Sequence, residues 1–85
     1  MQQSSEKNIR VQYYALLREQ SGLSDEQVST PARTTRELYE QLRERYGFSL
    51  DVERLSVAVN DEFASWDHQL TADDVVVFIP PVAGG

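Results

Sequence analysis

Residues 74–85 decide the fold, and they read Asp74-Val75-Val76-Val77-Phe78-Ile79-Pro80-Pro81-Val82-Ala83-Gly84-Gly85. The run from Val75 to Ile79 is apolar at every position, which is typical of a strand buried on both faces in mid-sheet. Pro80 and Pro81 cannot donate ladder hydrogen bonds and have a fixed φ, so they end this strand. The sequence therefore predicts a central last strand. The tail that follows is either a frayed end or a narrow probe that enters a site on another protein.

The first third of the chain predicts two strands around a short helix. Side chains alternate between the two faces from Ile9 to Tyr14, the period-two pattern of a half-buried strand. Residues 15–21 favour a helix, and Gly22 stands where a left-handed cap would end it. Gln27-Val28-Ser29 predicts a short second strand, ended by Pro31 and paired with the first.

The main helix has both a start signal and a stop signal. Thr34-Thr35-Arg36-Glu37 fits the capping box, in which a hydroxyl and a carboxylate satisfy free backbone donors of the first turn. Gly47 supplies the stop. One face of this helix carries apolar side chains at helical spacing and is expected to face the core; it consists of Leu38, Tyr39, Leu42 and Tyr46.

Three further strands complete the pattern. Leu55, Val57 and Val59 alternate with small residues, Asn60-Asp61 makes a turn, and residues 63–65 return. Residues 71–74 form another turn before the last strand. Strands grouped around one helix predict an α+β fold, a β-grasp whose mixed sheet of about five strands packs on one main helix, with one short helix besides. We expect a flexible leader over residues 1–7, the β-grasp domain over 8–79, and an extended tail over 80–85.

The apolar residues need two surfaces. The helix–sheet core is expected to hold Ile9, Val11, Tyr13, Leu38, Leu42, Val57, Val59, Val76 and Phe78. Alternation turns Tyr14, Phe63, Val77 and Ile79 towards the opposite face, which no second helix covers. Such a patch is typical of an interaction surface, although scattered exposed apolar residues are also normal.

Composition excludes several classes of function. The chain has 85 residues, a net charge of −6, one histidine and no cysteine, so it predicts one small domain without a disulfide or a metal site. The negative charge disfavours nucleic acid as a partner. No apolar run approaches the ~20 residues that span a bilayer, and residues 1–7 lack a signal-peptide core. We therefore expect a cytoplasmic protein that does not bind membranes.

No side chains combine into a catalytic site. His68 is interpreted as a turn residue, because no serine, cysteine or second histidine stands at useful spacing. The neighbouring carboxylates Asp61-Glu62 and Asp73-Asp74 point apart on turns, whereas acid–base catalysis needs groups that converge on one pocket. Catalysis by the chain alone is therefore not expected.

The terminal carboxylate remains as a reactive group. Its negative charge makes it a poor electrophile, but transfer of AMP from ATP would give a mixed anhydride, from which sulfur could displace AMP to form a thiocarboxylate. A tip without Cβ atoms suits a narrow active site. Gly84 and Gly85 provide such a tip.

Three stretches carry a resemblance to a known family. They are Val11–Glu19, residues 58–60 with 65–70, and Asp74–Gly85 with its hydrophobic–Pro-Pro-x-x-Gly-Gly ending. Together they resemble the small subunits of molybdopterin synthase, which are ubiquitin-like sulfur carriers of the MoaD/ThiS family. The resemblance covers residues 9–85. Thiazole-forming carriers also end in Gly-Gly on a β-grasp, but usually without the two prolines.

The resemblance implies a function in molybdenum cofactor biosynthesis. Gly85 would be adenylated by a ubiquitin-activating-like adenylyltransferase, which consumes ATP, and converted to a thiocarboxylate; the carrier itself would hold no permanent cofactor. The tail of Pro80, Pro81, Val82, Ala83 and Gly84 would insert into the large synthase subunit, where sulfur passes to the cyclic pyranopterin precursor. By position, Tyr14, Phe63 and Ile79 match the family's apolar docking residues.

The sequence departs from the family pattern in places, for example where Ile79 replaces a common phenylalanine, and several alternative functions stay open. The turn before the last strand usually contains glycine, but here it reads Ala72-Asp73-Asp74, which implies either strain or another turn type. The chain could instead serve thiamine thiazole, tungsten cofactor or amino-acid assembly. It could also be a ubiquitin-like modifier conjugated through Gly85, or an interaction module whose tail has no reaction.

Overall fold

The computed structural model describes residues 6–81. The strands are β1 (Lys7–Tyr13), β2 (Asp25–Thr30), β3 (Ser56–Val59), β4 (Glu62–Ala64) and β5 (Val75–Ile79). The helices are α1 (Ala15–Ser21) and α2 (Thr35–Tyr46), with a 3-10 turn at Val52–Arg54. The predictions for residues 1–5 and 82–85, which include most of the predicted leader and tail, lie outside the described residues.

The five strands form one mixed sheet in the order β2-β1-β5-β3-β4. β1 and β5 run parallel, whereas β2 pairs with β1, and β3 with both β4 and β5, in antiparallel fashion. The predicted α+β β-grasp is confirmed, and β5 occupies the predicted central position. The first strand begins at Lys7, the last residue of the predicted leader, because Lys7 pairs with Thr30 and its ammonium donates to the Ala32 carbonyl at 2.8 Å.

The prediction that β5 is buried on both faces is wrong. Val76 and Phe78 are fully buried beneath the helices, but Val75, Val77 and Ile79 are only half-buried. A single helix–sheet core accounts for this, since only one face of the sheet is packed by apolar neighbours. All nine predicted core residues are buried.

The main helix is capped much as the sequence predicts. The Thr34 hydroxyl accepts from the Glu37 N–H at 3.2 Å, and the Glu37 carboxylate accepts from the Arg33 N–H at 2.8 Å, one residue before the cap. At the other end Gly47 is left-handed, with φ +73°, and its N–H donates to the Arg43 carbonyl. Both helix ends therefore satisfy backbone groups that would otherwise lack partners.

The turn before β5 keeps a left-handed residue without glycine. Asp73 has φ +71°, the region that glycine occupies most easily, and its N–H donates to the Asn8 carbonyl at 2.8 Å. The turn is therefore formed with a left-handed aspartate, at some cost in backbone strain, rather than replaced by a turn without a left-handed residue.

Next to it, Asp74 joins this turn to the β3–β4 hairpin. Its buried carboxylate accepts from the Thr71 N–H at 2.8 Å, and from the Thr71 hydroxyl and the Asn60 amide at 3.0 Å each. Burial alone would raise the pKa of Asp74, but these hydrogen bonds outweigh it and hold the pKa below its ordinary value.

We expect Asp74 to make stability depend on acid pH. Its folded pKa lies below the unfolded value, so its contribution is complete above pH about 4 and is lost as pH falls through the folded pKa. Asp74→Asn should lower the free energy of unfolding by about 1–3 kcal/mol at neutral pH, because one of the hydrogen-bond donors around residue 74 then faces an amide NH₂. The substitution should also make the free energy of unfolding depend less steeply on pH. Urea unfolding across the acid range measures both effects. Asp61→Asn, at an exposed turn, is the control; a D74N profile as steep as that of the parent chain would contradict the assignment.

Candidate docking face and C-terminal tail

The face of the sheet opposite the core carries a continuous row of side chains. Val77 pairs with Gln12 on one side and Ala58 on the other, and Ala58 pairs with Phe63. Directly opposed residues in neighbouring strands point to the same face. The row therefore runs from β1 through the central strand to the edge strand β4. Only Phe63 and Val77 of this row were singled out from the sequence.

The predicted docking residues lie on this face. Phe63 is 79% exposed and Tyr14 is 49% exposed, while Ile79 is half-buried. Tyr13 pairs with Phe78 at the end of the β1–β5 ladder, and Tyr14, which follows with an extended backbone, lies at the same end of the sheet as Ile79. The structure thus places the three on one side of the sheet, with Ile79 at the point where the tail begins. We call Tyr14, Phe63, Val77 and Ile79 the docking face.

Charge next to the docking face is balanced. Arg10 and Asp25 belong to the same side of the sheet, and their side chains form an ion pair at 3.0 Å. Both side chains are about half exposed, so the pair contributes little to stability. The two charges of the pair offset each other beside the apolar row.

The tail can be followed only at its base. Pro80 is half-buried and Pro81 is exposed. The predicted tail residues Val82, Ala83 and Gly84, and the predicted reactive residue Gly85, lie outside the described residues. The base leaves the sheet directly after Ile79, at the end of the central strand, so the tail starts at the edge of the docking face.

Other polar clusters in the described part of the chain do not compete with this site. His68 is an exposed turn residue: its N–H donates to the Ser65 carbonyl at 3.2 Å, and its own carbonyl accepts from Thr35. No group of three metal-ligating side chains occurs among residues 6–81. A surface depression at the C-terminal half of α2, lined by Glu40, Gln41, Arg43, Glu44, Gly47 and Phe48, contains no predicted site residue.

The two helices in the part of the chain that the structure describes are also too short or too polar to be membrane spans. Within residues 6–81, neither helix has the length and apolar character needed to cross a bilayer.

Sequence reasoning missed two members of the exposed apolar surface. Val75 and Ala58 are both half-buried on the docking side of the sheet. Val75 is two residues before Val77, and Ala58 lies between the inward-facing Val57 and Val59, so strand alternation was a sufficient signal for both.

Known proteins share this architecture and much of this sequence. A model of the ThiS family matches residues 11–85. The chain is 35% identical over 80 residues to the molybdopterin synthase sulfur carrier subunit of Escherichia coli (strain K12), covering 91% of this chain and 99% of that protein. The putative molybdopterin converting factor subunit 1 of Pyrococcus furiosus superposes with a TM-score of 0.76 at 32% identity, over 89% of this chain and 99% of that one.

A further solved structure contains two different subunits. It is the protein–protein complex of subunits 1 and 2 of the molybdopterin-converting factor of Helicobacter pylori 26695. This chain matches it with a TM-score of 0.62 at 25% identity, over 92% of this chain and 99% of the matched one.

Proposed function

This chain belongs to the ThiS family, and we propose that it is the sulfur carrier subunit of a molybdopterin synthase. The observation that carries the proposal is its 35% identity to the Escherichia coli carrier subunit, along nearly the whole length of that protein. The family match also runs to Gly85, so it includes the residue proposed to carry sulfur.

The proposed chemistry takes place at the carboxyl carbon of Gly85. An adenylyltransferase transfers AMP from ATP to the carboxylate and releases pyrophosphate. A sulfur nucleophile then attacks the carbonyl carbon and displaces AMP, leaving a thiocarboxylate. The carrier needs no permanently bound cofactor, since ATP is consumed by the activating enzyme. Because ATP is required, we assign the reaction to the cytoplasm.

Sulfur delivery would require a large subunit. The two-subunit Helicobacter pylori complex supports this partner, since one of its chains has the fold and part of the sequence of this protein. We propose that the docking face packs against the large subunit, while Val82, Ala83, Gly84 and Gly85 enter its active site. There sulfur passes to the cyclic pyranopterin precursor, and the catalytic side chains belong to the large subunit.

Intact mass spectrometry tests this proposal. After incubation with an activating adenylyltransferase, ATP and sulfide, we expect a gain of about 16 Da on Gly85, from exchange of oxygen for sulfur. Mixing the product with the large subunit and the precursor should return the carrier to its original mass, as oxygen from water replaces the transferred sulfur. Two carriers should be consumed for each dithiolene, because a dithiolene contains two sulfur atoms. Omission of ATP is the control. An unchanged C-terminus would contradict the carrier assignment, and attachment of Gly85 to lysines of other proteins would favour a modifier.

A further inference from the structure

The chain turns from β1 into α1 without a linker. Tyr14 is extended, with φ −131° and ψ 152°, and the next residue, Ala15, has φ +53°. Residues with a side chain seldom adopt this left-handed region, because Cβ crowds the backbone there. The change of direction therefore includes one strained alanine, directly after the tyrosine of the docking face.

The residues on either side of this reversal are held firmly. Tyr13 is buried, its N–H donates to the Ser24 carbonyl at 2.9 Å, and its hydroxyl donates to Glu26 at 2.6 Å. Burial and this hydrogen bond raise the pKa of Tyr13, so the hydroxyl stays protonated and continues to donate. Leu17 is fully buried on the other side. Tyr14 and Ala15 thus lie between the buried residues Tyr13 and Leu17, while the Tyr14 side chain is exposed to solvent.

The opposite end of α1 provides a comparison. The helix stops at Gly22, which is also left-handed, with φ +78°, and apart from its own chain neighbours and the adjacent helix backbone no atom lies within 4 Å of the place where a Cβ would stand. Glycine thus occupies the left-handed position after α1, whereas alanine occupies the left-handed position before it, next to Tyr14. Chain reversal alone would be made with less strain by glycine at both ends.

We propose that Ala15 is a positioning residue, whose left-handed backbone holds the Tyr14 side chain in the orientation that the large subunit binds. This inference rests on the proposed function, since that function supplies the partner. Backbone strain is retained at sites where it fixes a useful conformation. Glycine would relieve the strain but widen the backbone freedom next to Tyr14, and that freedom would have to be lost again on docking.

The variant Ala15→Gly distinguishes a role of Ala15 in positioning Tyr14 from a role in folding stability alone. We expect its melting temperature to rise by roughly 4 °C, as strain is relieved, while its dissociation constant for the large subunit rises about 3- to 10-fold. The matched control is Asp73→Gly, which removes a left-handed side chain in the turn before β5, at the opposite end of that strand from Ile79. That variant should also melt at a higher temperature, but bind the large subunit as the parent does. Calorimetry measures both quantities.

A second measurement does not need the partner. NMR order parameters of the Tyr14 backbone should fall from about 0.85 towards 0.6 in Ala15→Gly and stay unchanged in Asp73→Gly. Unchanged order at Tyr14, a lower melting temperature, or undiminished affinity in Ala15→Gly would each overturn the inference. If the parent chain failed to bind the large subunit at all, the proposed function would be refuted, while the order parameters would still decide whether Ala15 positions Tyr14.

Discussion

Deletion of Gly85 is expected to abolish sulfur transfer while leaving the free energy of unfolding unchanged. The proposed reaction requires the terminal carboxyl carbon to lie at a fixed distance from the docking face. Without Gly85 the terminal carboxylate moves back to Gly84, by about 3.3–3.6 Å of extended chain. A displacement of about 1 Å in a reacting group can already cost on the order of 100-fold in rate. The rate of sulfur transfer should therefore fall below the detection limit.

The fold should survive this deletion because the buried core lies between Ile9 and Phe78. Addition of one alanine after Gly85 is a second variant, in which the Gly85 carboxyl becomes an amide that cannot be adenylated. Deletion of Gln2, outside the family match over residues 11–85, is the control for truncation as such. Intact mass after activation, together with urea unfolding, separates the two effects. A thiocarboxylate formed normally on the shortened chain would show that Gly85 is not the required residue.

Much of the fold was predictable because its signals are local. The α2 cap depends on Thr34 and Glu37, three residues apart, and the end of α1 depends on Gly22, so neighbouring residues suffice to predict both. The central position of β5 followed from its continuous apolar run. The same run predicted burial of β5 on both faces, which is wrong, because exposure depends on which elements cover the sheet. Alternation along the strands was the better signal, since it placed Val77 and Ile79 on the uncovered face.

The candidate site was predictable only in part. Period-two alternation was enough to turn Tyr14, Phe63 and Ile79 outward. The pairing of Val77 with Ala58, which places the middle of the docking face, joins residues 19 positions apart and needs the register of the sheet. The left-handed backbone of Ala15 had no local signal, because alanine is the residue that most favours the right-handed helix.

Phe63→Asp is expected to weaken binding of the large subunit by about 2–4 kcal/mol, roughly 30- to 1000-fold in dissociation constant. Phe63 is 79% exposed on the edge strand β4, yet it continues the apolar row of Ala58 and Val77. A partner that covers this row would remove the phenyl ring from water. Aspartate would lose that apolar contact, and a carboxylate without a partner would be buried in its place.

The same exposure makes the result interpretable. Because Phe63 contributes little to the core, the substitution should change the free energy of unfolding far less than it changes the free energy of binding. Gln27→Asp is the matched control. It adds the same charge to the same side of the sheet, at an exposed position on the opposite edge strand β2. Titration calorimetry should show near-parental affinity for Gln27→Asp. Equal affinities for both variants would place Phe63 outside the interface, and the docking face would then have to be sought around Tyr14 and Ile79 alone.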